Sequence, residues 1–145
     1  AVALSIVAGA IAQSADCIGV YWRTAESLTR ADMFRKKIAG LFRGLQFPID
    51  VWLRLDFLPL DPEGTATRTT GLRPFVGREV EISRSGRPLS ETASAAYHIA
   101  NHLILKGPVF RDGDTVDAGG VMRVSLANST STPSVPVFGL APAAA

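Results

Sequence analysis

The chain has 145 residues, 47% hydrophobic and 19% charged, the composition of a folded domain and not of a disordered or fibrous chain. Fifteen Lys and Arg against thirteen Asp and Glu leave a formal net charge of +2, too weak to imply phosphate-backbone binding, so no nucleic-acid partner is expected. The lone Cys17 excludes an internal disulfide and a multi-cysteine zinc site, reads as a small buried hydrophobe beside a strand, and fits a reducing, cytoplasmic compartment.

The apolar start at Ala1 suggests a fragment of a longer chain. The run from Ala1 to Ala12 has no basic residue before it and is too short for a bilayer, which takes about 20 apolar residues, so no membrane association is expected. Leu4, Val7, Ala8, Ile11 and Ala15 recur at helical spacing, which predicts a helix burying that stripe against a sheet. Ile18 to Trp22 reads as a buried strand. Thr29 is placed to cap a second helix with Asp32 in the capping-box position and Leu28 and Met33 as a hydrophobic staple. Phe34, Ile38, Leu41, Phe42 and Leu45 form its apolar face, and Gly40 or Gly44 offers a stop.

From Ile49 to Leu58, Val51, Leu53, Leu55 and Phe57 alternate with Trp52, Arg54 and Asp56, the period-two pattern of a half-buried strand. Asp61-Pro62-Glu63-Gly64 has turn chemistry and should fold that strand back into Thr65 to Leu72. After a break at Pro74 and Gly77, Arg78 to Ser83 alternates again, with Val80 and Ile82 inward and Glu79 and Glu81 outward. A long helix is expected from Ser90 to Lys106, stopped by Gly107 and Pro108, with Ala96, Ile99, Ala100 and Leu103 as its core stripe. Val109 to Val116 should form a tight turn or small hairpin about Asp112-Gly113-Asp114, and Val121 to Leu126 one more short strand.

The Ser, Thr, Pro and Ala-rich segment 128–145, interrupted by Pro133, Pro136 and Pro142, reads as a disordered tail. Asn128-Ser129-Thr130 matches the glycosylation pattern by chance alone. Together these elements predict an α+β fold: a two-layer sandwich, mainly antiparallel, with helices on one face, as a single domain over 1–127.

His98 and His102, spaced i, i+4, share a helix face in the way paired metal ligands are presented, with Asp114 or Asp112 beyond the helix as a third ligand. His98, His102 and Asp114 are therefore the candidate metal residues, although the Glu that zincins place directly after the first His is missing. Asp112-Gly113-Asp114-Thr115 falls short of a calcium loop because Val116 stands where a third ligand belongs. Ser94, one turn before His98, lacks an orienting carboxylate, and neither phosphate-binding nor dinucleotide-binding glycine patterns occur, so no cofactor is expected. Arg68, Arg73, Arg78, Arg84 and Arg87 could meet an anionic polymer, but with Glu79 and Glu81 among them they read as a solvated, charge-mixed sheet face.

Phe47-Pro48-Ile49-Asp50-Val51-Trp52, Thr70-Gly71-Leu72, Gly77 to Ile82, and Gly107-Pro108-Val109 with Asp112-Gly113-Asp114-Thr115 together resemble the bacterial domain of unknown function family 4261. Gly19-Val20-Tyr21-Trp22 is similar to that family's first remaining strand. The resemblance implies that a segment before Ala1 has been lost, and it brings no activity, substrate or catalytic residue with it. Val76 and the Ser-Thr-Pro segment depart from the pattern. The leading functional expectation is a non-enzymatic interaction or regulatory domain with a protein partner. A metal-dependent hydrolase using His98 and His102 is the alternative, and an exposed sheet edge makes a homodimer possible.

Overall fold

The computed structural model describes residues 1–43, 47–60, 64–83 and 87–143, and the chain divides into two compact units, 1–54 and 55–145. In the first unit Trp22, Phe34, Ile38, Val51, Trp52 and Leu53 are buried.

That unit runs α1 (Val2–Ser14), β1 (Gly19–Trp22), β2 (Ser27–Arg30), α2 (Ala31–Phe42) and α3 (Ile49–Trp52). The helical spacing of α1 is read correctly from the sequence, but its orientation is the reverse of the expected one. Ser5, Gly9 and Ala12 are buried, whereas Leu4, Val7 and Ile11 face solvent. The cause lies on the inner face. A Cβ on Gly9 would stand 3.1 Å from Ile38 Cγ2, so α1 approaches α2 too closely for anything but small residues between them. Ser5 Oγ accepts a 2.8 Å hydrogen bond from the buried Trp52 indole, and Arg35 donates to the Ala12 carbonyl at 2.9 Å, fixing both ends of that face.

β1 and β2 pair antiparallel, from Gly19 opposite Arg30 to Trp22 opposite Ser27. Among the described residues this sheet has two strands, and the cross-strand pair Tyr21 and Leu28, like Ile18 just before β1, is exposed where a buried strand was expected. Thr29 lies within β2 and is no cap. α2 begins after it, with Arg30 at the N-cap making no side-chain cap bond and instead pairing with Asp32 at 3.0 Å. Partial desolvation raises the Asp32 carboxyl, but the Met33 amide and the Arg30 charge outweigh it and hold it below the usual carboxylate range. Of the expected stops for α2, Gly44 lies outside the described residues, as does Leu45 of its apolar face.

The strand expected from Ile49 is also corrected. Residues 49–52 make the helical turn α3, which buries Val51, Trp52 and Leu53 together, and β3 (Arg54–Leu60) starts only afterwards. The second unit continues with β4 (Gly64–Thr70), α4 (Arg73–Val76), β5 (Glu79–Ile82), α5 (Leu89–Lys106), β6 (Thr115–Asp117), β7 (Val121–Asn128) and β8 (Pro136–Pro142). Its six-stranded sheet has the order β3-β4-β5-β8-β7-β6. β3 and β4 are neighbours, as the hairpin reading requires, although Asp61, Pro62 and Glu63 of the turn lie outside the described residues. The β4–β5, β7–β8 and β6–β7 pairs are antiparallel and β5–β8 is parallel, so the α+β fold with a mainly antiparallel sheet holds.

α5 packs on β4 and β5. Its buried side chains, Thr92, Ala95, Ala96, Ile99, Ala100 and Leu103, cover an apolar layer of Val80, Ile82, Phe138, Leu140, Met122 and Val124. The segment expected to be a disordered tail supplies the middle of that layer. β8 sits between β5 and β7, with Ile82 opposite Leu140 and Leu140 opposite Val124. Pro136 and Pro142 do not prevent this, because they are its first and last residues, and between them Val137, Phe138 and Leu140 are buried. Among the described residues, no helix is long and apolar enough to cross a membrane.

Candidate functional site

A cleft of about 550 Å³ lies within the second unit, between α5 and the turn joining β6 to β7, and is lined by Arg87, Glu91, Ser94, Ala95, His98, Asp117, Ala118 and Gly119. Glu91, Ser94 and His98 follow one another at helical spacing and so project from a single face of α5. The turn is built to meet them. Asp117 Oδ1 accepts from the Gly120 amide at 2.9 Å, and Arg87 donates to the Ala118 carbonyl at 3.1 Å. Gly120 has a φ of +143°, and a Cβ there would lie 2.2 Å from Arg87 Nη2, so only glycine lets the guanidinium lie over the turn.

His98 Nδ1 is 2.9 Å from the Ser94 carbonyl oxygen. A carbonyl only accepts, so Nδ1 carries the proton and Nε2 of the neutral ring is the acceptor. The Ser94 hydroxyl lies 3.4 Å from the same Nδ1 and is therefore not presented to a basic nitrogen, which removes a Ser-His nucleophile. Glu91 is exposed, and among the described residues its carboxylate has neither a hydrogen bond nor an ion pair.

The candidate metal residues are placed apart in role. His98 lines the cleft. His102 stacks on Phe110 with centroids 6.0 Å apart, and Phe110 in turn meets the edge of Phe138 at 5.9 Å. Asp114 Oδ2 accepts from the Arg111 amide at 2.8 Å, and Asp112 Oδ1 accepts from the Leu126 amide at 2.9 Å. Both carboxylates of the Asp-Gly-Asp turn thus hold backbone, with the turn laid along β7. Among the described residues, no group of three or more His, Cys, Asp or Glu is arranged to hold a metal ion.

On α5, burial pushes the Tyr97 phenol above its ordinary value of 10.0. Its neutral form is the one the fold favours, so its contribution to stability is complete below pH 10.0 and is lost as pH rises through the higher folded value. Tyr97→Phe should flatten this alkaline fall when the unfolding midpoint is followed from neutral pH to about pH 11. An unchanged slope would reject the assignment.

A second polar cluster gathers around the two glutamates of β5. Glu79 and Glu81 point away from the α5 layer, as the alternation predicts, yet they are only 6% and 3% exposed. Glu79 accepts from Thr69 Oγ1 and from the amides of Gly71, Leu72 and Arg73. Glu81 accepts from the Ser129 hydroxyl and from both the amide and hydroxyl of Thr130. Arg68, opposite Glu81 in the sheet, donates to Ser129, Ser131 and Thr132. The hydroxyl run 129–132 reads as tail composition in the sequence, but it supplies the donors that the buried Glu81 carboxylate needs.

The arginine stretch is correspondingly dispersed. Arg68 is held by hydroxyls, Arg78 by the Ala127 and Val137 carbonyls and Arg87 by Ala118, while Arg84 lies outside the described residues.

Residues 68–137 match the family model described as Domain of unknown function (DUF4261). The match begins later than the resemblance drawn from Phe47 and Gly19, and it extends through the Ser-Thr-Pro segment into β8. No curated protein and no solved structure matches the chain.

Proposed function

We propose that the chain is a non-enzymatic interaction domain whose α5 cleft receives a lysine- or arginine-bearing segment of a partner protein. The observation that carries this reading is how the polar groups of the cleft are used. Arg87 and Asp117 each bond backbone of the β6–β7 turn, and the Nδ1 proton of His98 goes to the Ser94 carbonyl one turn back on α5, so they form no nucleophile–base pair. The Glu91 carboxylate and the His98 Nε2 acceptor remain for a ligand. Acceptors without donors are matched by a partner that brings N–H groups and positive charge. The free thiol of Cys17 fits a cytoplasmic setting for such a partner.

The test is to pan a random peptide library on the immobilised full chain. Enrichment of Lys- and Arg-bearing peptides is expected, with affinity falling about tenfold for Glu91→Lys. No enrichment, or equal binding by Glu91→Lys, overturns the reading. Stoichiometric metal in the natively purified protein, lost in a His98→Ala, His102→Ala double variant, would replace it with the metal-dependent hydrolase.

A further inference from the structure

The two acceptors of the α5 cleft are set a fixed distance apart. Glu91 and His98 both lie within α5 (Leu89–Lys106) and both line the cleft. Seven residues at 1.5 Å of rise each make two turns of one face, so their side chains leave the helix about 10.5 Å apart. A single ammonium or guanidinium is too small to span that gap. Donors to Glu91 and to His98 therefore come from two different residues of the occupant. The acceptors also differ in kind. Glu91 brings a carboxylate, whereas the neutral His98 ring, its Nδ1 proton spent on the Ser94 carbonyl, presents Nε2 as an uncharged lone pair. The first suits a cation and the second a neutral N–H.

That spacing selects a backbone. An extended strand repeats a side-chain direction every two residues, about 6.8 Å, or every four, about 13.6 Å, and neither matches. A polyproline-II segment repeats it every three residues, about 9.3 Å, a difference that the flexible Glu91 side chain absorbs. A partner helix would match at seven residues, but over that length a helix about 10–12 Å across occupies about 800–1,200 Å³, more than the 550 Å³ of the cleft. The remaining lining agrees. Ala95, Ala118 and Gly119 offer small apolar surface and no sheet edge, and a polyproline-II segment needs none because its own backbone groups stay in water.

We infer that the cleft takes a polyproline-II segment in which Lys or Arg meets Glu91 and, three residues away, a neutral amide donor such as Gln or Asn meets His98 Nε2. His98 is then the residue that sets the register of the bound segment. This rests on the reading of the cleft as a receiver of basic segments, and adds to it the backbone of the occupant and its second contact.

Fluorescence anisotropy of the full chain with labelled peptides tests this, at protein concentrations up to about 1 mM because four residues of contact make a weak complex. The probes are a proline scaffold carrying Lys and Gln with one, two or three prolines between them, each in both chain directions. The two-proline spacing should bind about fivefold tighter than the others, the net effect of one added hydrogen bond. In His98→Ala that preference should vanish while the dependence on Glu91 remains. Position 98 is exposed, so the variant should fold, with unchanged circular dichroism as the check. Peptides that bind and lose affinity with Glu91→Lys, yet show no preference for two prolines or keep that preference in His98→Ala, overturn this inference alone. Tightest binding at one or three prolines overturns it in favour of an extended strand. Failure of every Lys peptide to bind overturns the reading of the cleft itself, and this inference with it.

Discussion

Glu79→Leu should destabilise the second unit by about 3–5 kcal/mol, a large share of the 5–15 kcal/mol that holds a typical domain folded. The side chain is almost fully buried, and its two oxygens accept four hydrogen bonds: Thr69 Oγ1 at 2.7 Å and Leu72 N at 3.0 Å on Oε2, Gly71 N at 3.1 Å and Arg73 N at 3.0 Å on Oε1. Three of these donors are consecutive backbone amides at the start of α4, a helix of four residues that makes no side-chain cap of its own. An apolar replacement of similar size fills the space but leaves those amides without acceptors, each costing about 1–3 kcal/mol. Thr69 is affected as well, because its hydroxyl both donates to Glu79 and accepts from the Val80 amide at 2.9 Å, joining the carboxylate to the β4–β5 ladder. Glu79→Gln keeps the shape and one acceptor oxygen and should lose less. Urea denaturation of the three proteins decides the matter, and a loss under about 1 kcal/mol for Glu79→Leu would mean that water or other groups satisfy those amides.

The Glu79 case shows where the sequence stops being legible. Period-two alternation correctly assigns Val80 and Ile82 to one face of β5 and Glu79 and Glu81 to the other, but periodicity gives only the face, not what covers it. The covering groups come from the 71–73 turn and from 129–132, and their contacts are long-range facts that no local window contains. α1 fails for the same reason. Its helical period is plain, yet two stripes compete for the interior, and the choice is made by Ile38 and Trp52, far along the chain. α5 is legible nearly to the residue because one stripe is apolar and Gly107, with a φ of +83°, stops it. Of the candidate site, His98 is found from its spacing, whereas Glu91 and Asp117 are not, since only the fold of the β6–β7 turn brings Asp117 to the α5 face.

A chain ended at Val135 should lose cooperative folding of its second unit. It keeps Ser129 to Thr132, and with them the donors to Glu81, so the experiment isolates β8. That strand pairs on both sides, parallel to β5 through four residue pairs and antiparallel to β7 through seven. Its removal leaves β5 and β7 separated by a strand's width, about 4.8 Å from each, with unpaired amides and carbonyls facing the gap. Val137, Phe138 and Leu140, buried to 2% exposure or less, go with it, and large-to-small changes at such positions cost about 2–5 kcal/mol each. The combined loss exceeds what a domain of this size has to spare. The point variant Leu140→Ala should remain folded with a lower melting temperature, which separates a packing defect from loss of the strand. Near-ultraviolet circular dichroism and thermal melts read both variants. If the segment were a tail, the shortened chain would melt within about 2 °C of the full one, well inside the shift that 1 kcal/mol produces in a domain of this size. A sheet that buries β8 between two partners requires instead that no cooperative transition remain.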